Sequence, residues 1–180
     1  MTSHPSRRRR LSGNKLALLA AALCLAGFAE PEEQPVIAEL MAQHASIQPG
    51  GKTKVAVHFD IEPGWHIYAK EPGDAGLPTK VAWSSLPGVR FGPLEWPAHQ
   101  AFLDPGDIRT FGYSGSLVLA SDVTYAARES VPEIPVSAHV EWLACREICL
   151  PGKADLTMSI PVNATPPVHS THSAFFDHVP

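Results

Sequence analysis

The sequence predicts an all-β fold, a two-sheet antiparallel sandwich, and three observations lead to that prediction. The 180-residue chain contains 18 prolines and 13 glycines, too many turn-forming residues for a helical bundle. Its hydrophobic fraction of 44% is too high for a disordered chain. About seven or eight short segments alternate apolar and polar residues between Gly/Pro turns, and no amphipathic pattern extends over three helical turns. This combination is typical of a single domain with an immunoglobulin-like β-sandwich.

Residues 1–29 match an export signal. A basic start precedes an apolar run at residues 16–28, which at about 13 residues is too short to span a bilayer. Small residues three and one positions before Glu30 fit a cleavage site, so we expect Glu30 to begin the mature chain. Two variants stay open. Residues 6–11 partly resemble a twin-arginine signal, and Cys24 would suit a lipoprotein anchor, although the leucine before it is bulkier than such signals use.

Cleavage at that point makes the mature domain strongly acidic. It removes five basic residues and no acidic ones, which leaves nine basic against 18 acidic residues and moves the formal net charge from -4 to -9. A nucleic-acid surface needs clustered Lys and Arg, so no nucleic-acid partner is expected. Export would also place the domain in a compartment where disulfides persist.

The first strands follow a short leader. Residues 30–35 are acidic and proline-rich, which suits a leader rather than a packed element. The domain itself is expected at residues 36–163. Strands are expected at residues 38–47 and at residues 52–61, where Val, Val, Phe and Ile alternate with more polar residues. After a Glu-Pro-Gly turn, residues 65–68 are expected to form a short aromatic strand.

Two irregular segments come next. Residues 70–79 contain two prolines and two glycines, so we expect a long loop there. Short strands are expected at residues 80–84 and 89–91. Residues 92–110 carry three prolines and are expected to form a second irregular excursion with Phe102 in its middle. A long loop inside a compact domain is often functional, and this one is a candidate lid.

The carboxyl-terminal part has the most regular pattern. A strand is expected at residues 117–125, and a hairpin at residues 136–144 and 156–162, where apolar residues alternate with polar ones. Residues 145–153 connect the two strands of that hairpin. The Pro-Pro pair and the His/Ser-rich composition make residues 164–180 a flexible tail.

The hairpin connection holds Cys145 and Cys149, which remain after the export signal is removed. Strand parity places Cys145 opposite to the face of Val140 and Trp142, hence away from the main core. In an extended strand the two cysteines would lie roughly 13 Å apart, whereas a disulfide needs Cα atoms within roughly 4.4 to 6.8 Å. Residues 146–148 must therefore fold back. So small a ring stabilises a fold less than a long-range bridge, which argues against a purely structural purpose.

Spacing alone leaves three functions of this cysteine pair open. The pair could carry out thiol–disulfide exchange, form a structural bridge at a hairpin tip, or bind a soft metal together with a histidine such as His139. The tail histidines are expected to be solvated: His169, His172 and His178. Hydrolase, zinc-protease, phosphate-loop and dinucleotide motifs do not occur in the sequence, so no cofactor and no hydrolytic function are expected.

Five segments of the sequence together resemble one known family. They are Gly-Trp-His-Ile-Tyr at 64–68, Pro-Gly-Asp-Ala-Gly-Leu-Pro at 72–78, Gly-Pro-Leu-Glu-Trp-Pro at 92–97, Thr-Phe-Gly-Tyr at 110–113 and Trp-Leu-Ala-Cys-Arg-Glu-Ile-Cys-Leu-Pro-Gly at 142–152. The chain resembles, over approximately residues 36–162, the amino-terminal periplasmic domain of the thiol:disulfide interchange protein DsbD family. The cysteine segment and the first of the five are the specific parts of that resemblance.

The resemblance implies an immunoglobulin-like redox domain, a component of a protein-disulfide reductase. Cys149 matches the cysteine that forms mixed disulfides with partners, and Cys145 matches the one that resolves them. Phe102 falls where the family places an aromatic cap that shields the pair until a partner docks. Tyr68 matches an aromatic residue lining the site, and His66 occupies the neighbouring lining position with a changed residue type.

Two departures from the family pattern qualify these expectations. The best-known members separate their cysteines by five residues, and this chain separates them by three. The chain also carries neither the membrane-spanning electron channel nor the thioredoxin-like domain of a full-length DsbD. The expected partners are therefore a membrane electron-transfer protein of DsbD type and periplasmic thioredoxin-like or disulfide-isomerase proteins, with cytochrome c-type biogenesis as one process served. The alternative is a non-catalytic sandwich that binds a partner or a soft metal.

Overall fold

The computed structural model describes Met1 and residues 34–126 and 131–179. The chain separates into two units, residues 1–33 and 34–180, and all of the described strands belong to the second. The expected export signal at residues 1–29, with Cys24, lies outside the described residues, as does most of the expected leader. Among the described residues, no helix is long and apolar enough to cross a membrane.

The described part of the chain folds into ten strands and one short 3₁₀ helix. In chain order these are β1 (Val36–Ala42), β2 (Lys52–Ile61), β3 (His66–Gly73), β4 (Lys80–Ser85), β5 (Val89–Phe91), β6 (Gln100–Asp104), β7 (Ile108–Tyr113), β8 (Ser116–Tyr125), β9 (Glu133–Cys145), β10 (Cys149–Pro161) and the 3₁₀ helix Ser173–His178. This composition agrees with the all-β prediction.

The strands form two antiparallel sheets that enclose a common core. The four-stranded sheet has the order β1-β2-β8-β5, and the six-stranded sheet has the order β10-β9-β3-β7-β6, with β4 also paired to β9. The main core cluster draws on both sheets, for example Phe59 and Leu117 from one and Ile67 and Val140 from the other. The immunoglobulin-like antiparallel sandwich predicted from the sequence is confirmed.

Strands β3 and β4 share one edge of β9, and this arrangement determines where the cysteines lie. β4 pairs with residues 136–141 of β9, while β3 pairs only with its end, where His66 stands opposite Cys145. Between them the chain leaves the sheet over residues 74–79. That departure agrees with the later part of the loop expected at residues 70–79, whereas residues 70–73 belong to β3. It carries the chain over the outer face of the sheet beside Cys145.

Residues 92–110, expected to be irregular, contain β6 and the start of β7. The two strands pair from Gln100 opposite Gly112 to Asp104 opposite Ile108, around a turn in which Gly106 and Asp107 adopt positive φ. The three prolines of the segment lie outside both strands. Phe102 is therefore held on a paired edge strand.

The cysteine hairpin is also more regular than its sequence suggests. β10 begins at Cys149 and includes Pro151 and Gly152. Proline is tolerated because β10 is an edge strand, and the glycine is required because a Cβ there would lie 2.2 Å from the Trp142 ring. The connecting turn shrinks from the expected nine residues to residues 146–148.

The carboxyl-terminal segment, expected to be a flexible tail from residue 164, packs on the outer face of the four-stranded sheet as far as residue 179. The Phe176 ring is buried against Met41, Ala56 and Ala120. The Ser170 N–H donates to the Gln43 carbonyl at 2.9 Å. We call residues 168–179 the carboxyl-terminal strap. The domain limits drawn from the sequence stay predictions.

Candidate redox site

Cys145 and Cys149 face each other across the end of the β9–β10 hairpin. The strand register pairs them directly, and they form a disulfide with their Cα atoms 4.1 Å apart. Residues 146–148 close the turn, in which the Arg146 N–H donates to the Ile148 carbonyl at 3.0 Å. The fold-back expected for these three residues is what brings the sulfurs together.

The two cysteines differ sharply in their accessibility. Cys145 is 3% exposed, whereas Cys149 is an exposed residue. Ala144 packs in the main core, so Cys145, the next residue along the strand, faces the outer side of the sheet, as parity predicted. Its burial comes from segments that cross this outer face. Cys145 is therefore buried although it faces away from the core.

Tyr68 covers Cys145 and donates a hydrogen bond to it. The Tyr68 hydroxyl lies 3.1 Å from the Cys145 Sγ. Burial, with a smaller effect of the Asp104 charge, raises the pKa of Tyr68, so its proton is retained for donation. The loop fits tightly around this ring because Gly76 has φ +96°, and a Cβ there would lie 2.4 Å from the Tyr68 ring.

His66 and Phe102 form the next layer of the site. Their rings are stacked with centroids 4.4 Å apart, and the His66 ring meets Tyr68 edge-on at 5.2 Å. His66 is 6% exposed, and burial lowers its pKa against the opposing effect of Asp104. The structure therefore brings the five site residues expected from the family resemblance into one cluster on the outer face of the sheet: His66, Tyr68, Phe102, Cys145 and Cys149.

Asp104 belongs to the same cluster, and sequence reasoning missed it. Its Oδ1 lies 4.0 Å from His66 Nε2, and its Oδ2 accepts a hydrogen bond from the Thr110 hydroxyl at 2.8 Å. One residue separates it from Phe102, so both side chains share one face of β6. That parity is a usable signal only once residues 100–104 are identified as a strand.

A second contact missed from the sequence braces the hairpin turn. The Arg146 guanidinium lies over the Trp65 ring, 4.7 Å from its centroid. Trp65 is itself buried in the main core, so this cation–π contact ties the turn between the cysteines to the body of the domain. The sequence places Trp65 and Arg146 far apart, and no periodicity relates them.

The site opens to solvent as a shallow cavity of about 250 Å³. Tyr68, Gly76, Asp104 and both cysteines are among its lining residues. Exposed apolar side chains occur on the three segments that form it: Leu77, Leu103, Ile108 and Ile148. Leu103 is 70% exposed and Ile148 57%. Exposed apolar groups around the disulfide suit contact with another protein.

The alternative of a metal shared with His139 does not fit this geometry. His139 lies six residues before Cys145 on the same strand, about 20 Å away at the usual rise. It contacts Asp155 through Nδ1 at 2.6 Å and Glu141 through Nε2 at 3.5 Å. These carboxylates raise the pKa of His139. Its two ring nitrogens are therefore engaged by acidic side chains far from the sulfurs.

The family model described as "Thiol:disulfide interchange protein DsbD, N-terminal" matches residues 33–161. No curated protein sequence matches the chain. Among solved structures, the N-terminal periplasmic domain of ScsB from Proteus mirabilis is 18% identical with a TM-score of 0.58, over 84% of this chain and 57% of that one. The chain thus spans less than two thirds of that relative, and at this identity the likeness supports the fold.

Two further solved structures come from Neisseria meningitidis. The DsbD N-terminal domain in the reduced form is 18% identical with a TM-score of 0.43, over 78% of this chain and 94% of that one. The DsbD N-terminal domain in complex with the PilB N-terminal domain is also 18% identical, with a TM-score of 0.42 over 81% of this chain and 96% of that one.

Proposed function

Because this chain belongs to the family of amino-terminal domains of the thiol:disulfide interchange protein DsbD, we propose that it is a periplasmic thiol–disulfide exchange module. The observation that carries the proposal is the unequal exposure of a bonded cysteine pair. Cys149 is open to an incoming sulfur, while Cys145 is buried beneath a hydrogen-bond donor. Exchange requires an accessible sulfur, and protection of the other sulfur directs the attack to Cys149.

The reduced module passes two electrons to a partner in two steps. The Cys149 thiolate attacks one sulfur of the partner's disulfide, a mixed disulfide forms, and the other partner sulfur leaves as a thiolate. The Cys145 thiolate then attacks the Cys149 Sγ and releases the first partner sulfur. The Cys145–Cys149 disulfide remains, and the two partner thiolates take protons from solvent to become thiols.

Reduction of the module by its donor reverses these steps. A donor thiolate attacks the exposed Cys149 Sγ, and Cys145 leaves as a thiolate. The Tyr68 hydroxyl, 3.1 Å from that sulfur, stabilises the developing negative charge. The Tyr68 hydroxyl therefore donates to the Cys145 thiolate in both directions of exchange. It does so when that thiolate leaves during reduction of the module, and before it attacks Cys149 during reduction of a partner.

The proposed partners are those expected from the family resemblance. A membrane electron-transfer protein of DsbD type supplies electrons, and thioredoxin-like or disulfide-isomerase proteins receive them, with cytochrome c-type biogenesis as one process served. Phe102 shields the site until a partner displaces it. The exposed Leu77, Leu103 and Ile148 side chains then offer apolar contact around Cys149.

Trapping and potentiometry test this function. In Cys145→Ala, reduced Cys149 cannot be resolved, so incubation with an oxidised thioredoxin-like or disulfide-isomerase protein should give a mixed disulfide on a non-reducing gel. Cys149→Ala is the matched control and should give none. The reduction potential of the native pair should lie above about -300 mV. A lower potential together with no trapped species would establish an inert structural bridge and refute the proposal.

A further inference from the structure

We propose that His66 and Asp104 are positioning residues for the aromatic cover of the cysteine site, and that protonation of His66 favours its opening. The cover is β6, the strand that carries Phe102. The inference rests on the proposed exchange function for its purpose. It goes beyond that function because it assigns a role to two side chains that take no part in the exchange steps themselves.

The His66 ring is the surface against which Phe102 of the cover packs. The Phe102 ring lies nearly parallel to the imidazole, with an interplanar angle of 15° and a centroid separation of 4.4 Å. β6 is an edge strand of its sheet and pairs with β7. Because an edge strand has one open side, the cover can move away from β3 without breaking the pairing inside the core of the sheet.

Asp104 connects the charge state of His66 to the same strand. It lies on the face of β6 that carries Phe102, and its Oδ1 approaches His66 Nε2 to 4.0 Å, beyond hydrogen-bond distance. The Thr110 hydroxyl fixes the carboxylate from β7. The closed cover therefore leaves His66 Nε2 buried and without a hydrogen-bond partner. Opening would admit water to that nitrogen.

The ionisable groups around His66 come from each neighbouring element. β6 contributes Asp104, its own strand contributes Tyr68, and β9 contributes Cys145 directly opposite, which titrates only after reduction. On the hairpin turn, Arg146 lies over Trp65, the residue before His66. Asp104 is the anion that favours the imidazolium, while burial of the ring opposes it more strongly.

The direction of the effect follows from that balance. In the closed state, burial lowers the pKa of His66 below its ordinary value of 6.5, despite the opposing carboxylate. In an open state the ring is hydrated and its pKa returns towards 6.5. A proton binds more tightly to the open state, so acidification shifts the population from closed to open. Above the ordinary pKa both states are neutral and the closed cover is favoured.

The rate at which tris(2-carboxyethyl)phosphine reduces the Cys145–Cys149 disulfide measures the opening. His66→Phe keeps an aromatic platform and removes both the titration and the unsatisfied nitrogen. We expect the ratio of the wild-type rate to the His66→Phe rate to rise severalfold between about pH 7.5 and 5.5, with a ceiling of about tenfold for each pKa unit separating the two states. Taking the ratio cancels the pH dependence of the reagent.

Asp104→Asn supplies a second variant that keeps His66 and an oxygen for Thr110. Because Asp104 raises the pKa of His66 in the closed state, its removal should widen the gap between the closed and open pKa values, so the ratio of the Asp104→Asn rate to the matched His66→Phe rate should rise further and keep rising to lower pH. The protection factors of the β6 amides, which are corrected for the pH dependence of intrinsic exchange, should fall on acidification in wild type and stay constant in His66→Phe. Identical profiles for wild type and His66→Phe in both measurements would overturn the inference.

Neither measurement requires a protein partner, so the two proposals fail separately. If the cover opens on acidification but the protein traps no partner, only the exchange function is refuted. If the protein traps partners but its reduction-rate ratio and its β6 protection factors do not change with pH, only the positioning role is refuted.

Discussion

Two segments cover the outer faces of this sandwich, and they are fastened in different ways. The carboxyl-terminal strap is held by a buried aromatic ring and by backbone hydrogen bonds, among them Ser170 N–H to Gln43 and Ala45 N–H to Val168. The Phe102 cover rests on a stacked imidazole with an unsatisfied nitrogen. The first arrangement resembles core packing, whereas the second is suited to repeated opening. The second lies beside the Cys145–Cys149 disulfide, because His66 stands directly opposite Cys145.

The largest effect on stability is expected for the strap. Phe176→Ala removes a ring that is 5% exposed and should lower the free energy of unfolding by about 3 kcal/mol. The value lies at the low end for a buried Phe because a terminal segment can detach locally. Phe175→Ala, at 39% exposure, is the matched control and should cost far less. Chemical denaturation measures both, and equal losses would show that the strap is not anchored by Phe176.

A glycine substitution tests the tight fit around Tyr68. Gly76→Ala combines a positive φ with a Cβ 2.4 Å from the ring, so it should cost about 2 kcal/mol or more and displace Tyr68. Gly115→Ala has φ +75° and nothing within 4 Å of the added Cβ, so it isolates the backbone strain. The difference between the two unfolding free energies reports the clash. A zero difference would mean that the loop yields freely.

The hydroxyl of Tyr68 should affect chemistry more than stability. Tyr68→Phe should cost about 1 kcal/mol of unfolding free energy and remove the hydrogen bond to the leaving Cys145 thiolate, which would slow reduction by a thiol donor by roughly tenfold. Tyr113→Phe loses a comparable bond, to the Pro97 carbonyl, away from the sulfurs. It should therefore leave the rate of thiol exchange unchanged. Equal rates for the two variants would contradict the role assigned to the hydroxyl.

Removal of the cover itself should have a smaller thermodynamic effect. Phe102→Ala deletes a half-buried ring whose stacking is worth about 0.5 to 1.5 kcal/mol, so phosphine reduction of the disulfide should accelerate by roughly twofold to tenfold. Phe176→Ala should leave that rate unchanged, since the strap lies on the other sheet. If Phe102→Ala reacts no faster than wild type, Phe102 is not a shield.

The smallest effect is expected from the histidines beneath the strap. Burial is the largest cause lowering the pKa of His44 and of His58. His169 adds to the lowering at His44, whereas Asp60 and Glu39 oppose it at His58. A folded-state pKa below the unfolded value means that stability is present above about pH 6.5 and falls as the pH drops through the folded pKa. Thermal unfolding of wild type and His44→Asn between about pH 7.5 and 5.5 measures this. A wild-type midpoint that rises on acidification would contradict it.

Much of the site was predictable because strand parity is a local property. The alternation at residues 136–144 places Ala144 inwards and Cys145 outwards, and the structure agrees. The irregular appearance of residues 92–110 concealed β6, because prolines near a strand obscure the period of a segment only five residues long. Asp104 was missed for that reason, whereas Phe102 was identified through the family resemblance.

The sequence by itself determined the class of fold, the hairpin end at which the two cysteines lie and, by resemblance, the family. The fold class and the hairpin follow from alternation and turn residues, which act within a few residues along the chain. The family follows from the resemblance of five sequence segments. Only the tertiary structure decided that one sulfur is buried and the other exposed, and that His66, Phe102 and Asp104 lie together. Burial and ring stacking arise between segments distant in sequence, and the strand order that joins them is set by packing of the whole sandwich.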